Sequence, residues 1–184
     1  MMPTDDTPKG RILKTLSGQL AQYAAYHRHP ANIASHFIGI PMIVLAFSAL
    51  LSRPGFEVAG VSLAPADLFA IGFSVFYLSL ERVLGLLMTV LMGLSLWFGA
   101  WSAAQSTPVW LAIGLGGFVA GWIIQFIGHW FEGRKPAFVD DLIGLVVGPL
   151  FVVAEALFLL GLRSGLKAEV ERLAGPVRTV GAAG

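Results

Sequence analysis

The sequence has no cysteine and little charge: only 12% of its 184 residues are Asp, Glu, Lys or Arg. Soluble domains carry about 25%, so a soluble globular fold is not expected. The missing cysteine excludes disulfides, thiolate metal sites and thiol catalysis, and leaves His, carboxylate, carbonyl or water as the only ligands for a metal. Twelve Lys and Arg balance eleven Asp and Glu, a net charge of +1. That leaves no basic face broad enough to neutralise a nucleic-acid backbone, so nucleic acid is not an expected partner. Residues 1–10 are polar and lack the short apolar core of a cleaved signal, so the first spanning segment is expected to direct insertion itself.

What is abundant is apolar. Hydrophobic residues make up 56% of the chain, with a mean hydropathy of +0.76. A spanning helix needs roughly 20 mainly apolar residues, and five stretches approach that length: 33–51, 63–80 (weakened by Pro65 and Asp67), 83–101, 109–128 and 142–162. Lipid forces backbone groups to bond internally, and these runs are too long and too uniform for barrel strands. The expectation is an all-α integral membrane helical bundle in the lipid bilayer, one domain over 1–174 with a disordered tail over 175–184. Ahead of it, 11–26 places Ile12, Leu13, Leu16, Leu20 and Tyr23 at near-helical spacing, an N-terminal amphipathic helix; 163–173 is similar and shorter. Small residues four apart, Gly117/Gly121 and Gly144/Gly148, let helices approach closely, within one chain or in a homo-oligomer.

Cytoplasmic flanks are enriched in Lys and Arg. Five full crossings divide them almost evenly, whereas four crossings plus a re-entrant fifth segment place eleven on one side and Arg53 alone on the other. The re-entrant arrangement is therefore preferred over a fifth span, with Gly148-Pro149 as the place where the chain turns.

Four histidines carry the chemistry: His27, His29 and His36 at the mouth of the first span and His129 at the exit of the fourth. An even number of crossings puts all four at one membrane face. Imidazole without cysteine suits iron, zinc, copper or nickel. On one helix, residues nine apart such as His27 and His36 would point about 180° away from each other. Pro30 disfavours helix at His29 and suits a helix start, so the break lets the two converge. His129 and Glu132, three apart on one face, offer either two ligands or one ligand and its orienting partner. Arg134 and Lys135 are either a solvated flank or the anchor of an anionic head group. One of Asp140 and Asp141 is expected to cap the next helix. Glu155, a carboxylate deep in an apolar run, calls for a partner among the nearby Arg or His. A relay through Asp67, Glu81, Glu155 and the histidines would instead make a transporter or channel, and two axial histidines would make a haem protein.

Two blocks, YAAYHRHPANIASHFIGIP and QFIGHWFEGRKPAFVDDLIGLVVGPLFVVAE, resemble the membrane-embedded 2-hydroxy fatty acid dioxygenases first recognised in yeast and their bacterial relatives. The family pattern falls on Tyr26, His27, Pro30, Asn32 and His36, then on Gly128, His129, Phe131, Glu132, Arg134, Pro136 and Asp140; Arg28 stands where the yeast-like pattern has a second His. The resemblance implies an Fe(II) enzyme of fatty acid α-oxidation that uses O2 to shorten a long-chain 2-hydroxy fatty acid by one carbon. In yeast this serves phytosphingosine breakdown. It implies His27, His36 and His129 as ligands, with His29 and Glu132 next, and Arg134, Lys135, Tyr26 and Asn32 at the substrate. The membrane would be the inner or plasma membrane in a bacterium and the endoplasmic reticulum in a eukaryote.

Overall fold

The computed structural model describes residues 15–136, 139 and 142–178. Seven helices and one small hairpin follow in order: α1 (Leu16–Ala24), α2 (Pro30–Ser52), β1 (Phe56–Val58), β2 (Val61–Leu63), α3 (Pro65–Leu80), α4 (Arg82–Ala103), α5 (Thr107–Glu132), α6 (Ile143–Leu159) and α7 (Ser164–Ala174). The chain is a helical membrane protein. α2, α4 and α5 are each long and apolar enough to cross a bilayer. At 1.5 Å per residue α3, with 16 residues, is about 24 Å long, short of the roughly 30 Å hydrocarbon core. The span expected at 63–80 begins later because Pro65 takes the first helical position and Asp67 Oδ2 accepts the Ala64 N–H at 2.7 Å. The two residues that weakened this stretch as a span are its start signal.

Contacts divide the chain into two units, 36–125 and 1–35 with 126–184, and both cuts fall inside continuous helices, α2 and α5. In the first unit, α4 buries Leu84, Gly85, Met88, Met92, Ser95, Gly99 and Ser102 and exposes Val83, Leu86, Val90, Leu94, Trp97 and Trp101. This is the inside-out pattern of a lipid-facing helix, with small and flexible residues at the contact and large apolar ones outward. Ser48 Oγ donates to Ser95 O at 2.7 Å, and a Cβ on Gly121 would lie 3.0 Å from Gly39 O, so Gly121 serves packing within the chain. The π turn Ala112–Gly116 interrupts α5. The hairpin turns through Ala59 and Gly60, both at positive φ, and its strands are almost wholly exposed. Beside it Arg53 stacks over Trp110 at 4.6 Å and donates to Gln105 O at 3.1 Å.

In the second unit α1 packs against α6 and α7. Thr15 caps α1 by accepting the Gly18 N–H, and Leu16, Leu20, Tyr23 and Ala24 form its buried face, the amphipathic helix the sequence calls for. Residues 11–14 of that expectation lie outside the described residues, as do Asp140 and Asp141. The expected turn at Gly148-Pro149 is corrected: α6 runs through Pro149, and the chain bends by 119° between α6 and α7 instead. Gly161 at φ +74° and Arg163 at φ +59° make that bend, left-handed positions where glycine is comfortable and arginine is not. α6 is apolar apart from Glu155 and buries Val147, Leu150, Phe151, Val152, Ala154 and Phe158.

Candidate metal centre

α1 ends at Ala24, and Tyr26 and His27 close its last turn with N–H bonds to Tyr23 O and Ala24 O. Pro30 then opens α2, so His27 sits in the connection and His36 one and a half turns into the next helix. His129 lies in the last turn of α5. All three imidazoles are buried, at 0%, 1% and 6% exposure. One ligand atom from each lies within 4.8 Å of the other two. His36 is the first residue past the cut in α2, on the same unbroken helix as Asn32.

The donor set fits a metal ion on its own chemistry. The Tyr23 carbonyl, 2.7 Å from His27 Nδ1, can only accept, so His27 carries its proton on Nδ1 and turns the Nε2 lone pair to the centre. The Tyr23 ring stacks on the imidazole at 4.1 Å and 8°, Phe151 packs against both, and His129 meets His27 edge-on at 4.9 Å. Burial pushes the Tyr23 phenol far above its ordinary range, so it stays a neutral wall. Three neutral imidazoles suit iron, zinc, copper or nickel.

His29 stands apart from this cluster. Its Nδ1 accepts the Ala31 N–H at 3.1 Å and its carbonyl accepts the Asn32 and Ile33 N–H groups, so it caps α2. Glu132, left open between ligand and orienting partner, has the geometry of the partner. Its Oε2 accepts the backbone N–H of Arg28 (3.0 Å) and His29 (2.7 Å) and the Asn32 Nδ2 (3.1 Å). Glu132 is one turn past His129, and Asn32 one turn before His36, so this carboxylate ties the two histidine-bearing helices together beside the cluster. Asn32, fully buried, also donates to Tyr26 O at 3.3 Å. Gly128 permits the approach: a Cβ there would collide with Ser35 Oγ and sit 2.7 Å from Asn32 Oδ1.

Arg134 is exposed and donates Nη1 to Ala25 O at 3.0 Å; Lys135 is exposed beside it. Asp67 and Glu81, the other members of the supposed relay, cap α3 and α4. Two residues escaped the sequence reading. Tyr23 counted only as an apolar position, although its place four residues before His27 is the spacing that lets its carbonyl take the imidazole N–H. Arg28 is 6% exposed, donating Nε to Ala24 O and His27 O and Nη1 to Gly175 O. Burial lowers its pKa while Glu155, Glu132 and Glu171 raise it, and the guanidinium keeps its charge. Glu155 feels the charge of Arg28 most, then that of Lys167.

With this geometry in view, residues 13–160 match the family model described as 2-hydroxy-palmitic acid dioxygenase Mpo1-like. The chain is 36% identical over 164 residues to the 2-hydroxy-palmitic acid dioxygenase MPO1 of Saccharomyces cerevisiae, covering 88% of this chain and 91% of the yeast protein. No solved structure matches. A match over most of both chains, taking in His27, His36 and His129, places this protein in the Mpo1-like family.

Proposed function

We propose that this protein is an Fe(II)-dependent dioxygenase of fatty acid α-oxidation that shortens long-chain 2-hydroxy fatty acids by one carbon with O2. The observation that carries the reading is the convergence of three buried imidazoles, drawn from two distant stretches of sequence, within 4.8 Å. Family membership supplies the substrate class, since the yeast relative is a 2-hydroxy-palmitic acid dioxygenase. Iron(II) bound by His27, His36 and His129 would keep open positions and supply the one-electron chemistry that ground-state O2 requires.

The chain's own residues do the rest. Tyr23 fixes the tautomer of His27, and Phe151 and the Tyr23 ring exclude water from its faces. Glu132 and Asn32 hold the ligand-bearing turns in register. Arg134 and Lys135, exposed where α5 ends, are the cations for the substrate carboxylate, and Tyr26 stands at the same turn. A centre near the ends of spanning helices suits a substrate with a wet head and a dry tail. Oxidative loss of C1 from a 2-hydroxy acid itself provides the electrons that O2 accepts, so no external reductant is needed.

The test is iron analysis of the detergent-purified protein with O2 uptake and product identification on 2-hydroxypalmitate. Expected are one iron per chain, a product one carbon shorter, loss of turnover on chelation and its recovery with Fe(II). Absence of both iron and turnover overturns the reading. Flux through liposomes that survives chelation would point to a transporter instead.

A further inference from the structure

The carboxylate of Glu132 has two oxygens with different fates. Oε2 is saturated by Arg28 N–H, His29 N–H and Asn32 Nδ2, while Oε1, equally buried, makes no hydrogen bond. What faces Oε1 is Arg178 Nη2 at 3.4 Å, from the segment after α7. The Glu132 side chain is 0% exposed and that of Arg178 is 50%, so this is a surface cation reaching a wholly buried anion. The same segment is bonded to the same turn twice more. Arg178 N–H donates to Arg28 O at 2.8 Å, and Arg28 Nη1 donates to Gly175 O at 2.6 Å. Gly175, at φ +84°, lets the chain leave α7 in the direction these bonds need.

From this we infer that residues 175–178 form a strap belonging to the metal centre, and that Arg178 is a positioning residue acting through Glu132 on His129 and on the turn that carries His27. The sequence reading placed 175–184 in a disordered tail; residues 179–184 lie outside the described residues, while 175–178 make these three contacts. The physical argument is one of charge. Oε2 draws on neutral amide donors, and Arg28, the other cation near Glu132, spends its hydrogen bonds on carbonyls. Arg178 is the cation in ion-pair contact with the carboxylate among the described residues. An exposed ion pair is worth little, but a buried carboxylate that loses its cation is no longer held in place, and its grip on the His27–His29 turn loosens.

The inference rests on the metal-centre reading, and the experiment separates the two. Four full-length proteins are compared, wild type, Arg178→Lys, Arg178→Ala and Arg178→Glu, with Arg172→Ala as a control: Arg172 is an exposed cation of α7 paired to Glu169. Iron affinity is read by competition with a chelator, and amide exchange at Arg28 and His29 is read on the metal-free proteins. Expected is an affinity loss of about tenfold for Arg178→Ala, the lower end of what outer partners of metal ligands contribute. The loss should be smaller for Arg178→Lys and larger for Arg178→Glu, with amide exchange accelerating in the same order and Arg172→Ala unchanged. Wild-type affinity and exchange in both the Ala and Glu variants would overturn the strap. If the wild type binds no iron, the metal reading fails, yet the exchange series still decides whether Arg178 holds the turn.

Discussion

His29 lies two residues from His27, and the two rings have different work. His29 Nδ1 accepts a helix N–H, which places the proton of the neutral ring on Nε2, whereas His27 donates its Nδ1 proton to Tyr23 O and keeps the Nε2 lone pair for the centre. Asparagine is as good a cap as this histidine, so His29→Asn is expected to keep iron stoichiometry and turnover. His27→Ala, His36→Ala and His129→Ala should each lose more than the 10–100-fold in iron affinity that outer-partner changes cost. Iron content of the four purified variants checks this; an iron-free His29→Asn protein would make His29 a ligand. Imidazole binds metal only when unprotonated. Iron affinity is therefore expected to fall as pH drops, measurable by equilibrium dialysis at stepped pH. By residue type alone all four histidines look alike, and only the family resemblance sets His29 second, because the acceptor that distinguishes His27 from His29 is a backbone carbonyl, which side-chain identity does not reveal.

At the scale of elements, helix starts were legible and turns were not. Pro30 and Pro65 open α2 and α3 as their fixed φ and missing N–H favour. Pro149 carries the same signal and does not break α6, since neighbouring segments hold a helix that is buried on most sides. The bend comes at 160–163, where Gly161 and Arg163 are left-handed. A non-glycine residue pays roughly 1–2 kcal/mol there. Gly161→Ala is thus expected to lower the unfolding midpoint in detergent by a few degrees, and Arg163→Gly to raise it. Equal midpoints for both would mean the bend is unstrained. The hairpin of β1 and β2 went unread because three-residue strands with exposed side chains leave no periodicity to detect.

For the whole molecule, composition decides the solvent and helix count decides sidedness. With the shorter α3 counted beside the three long apolar helices α2, α4 and α5, four passes separate the His27 turn from Lys135, with the hairpin after the first. As the chain has no cysteine, single-cysteine labelling reads topology directly. Glu57→Cys in the hairpin should label from one side of sealed vesicles, and Lys135→Cys from the other. Labelling of both from one side would break the four-pass arrangement and with it the shared face of the histidines.

Apolar length, the absence of cysteine and the proline starts fix a helical membrane protein with histidines near helix ends, because desolvating the backbone leaves few alternatives in lipid. The same pattern admits four histidines and several carboxylates as ligands, and only the family resemblance puts His27, His36 and His129 first. Only the tertiary structure decided that three rings converge, that Glu132 binds two backbone amides and Asn32, and that 175–178 return to close over that turn. Such contacts join positions roughly a hundred residues apart through carbonyls, amides and single side chains, and nothing periodic in the chain records them.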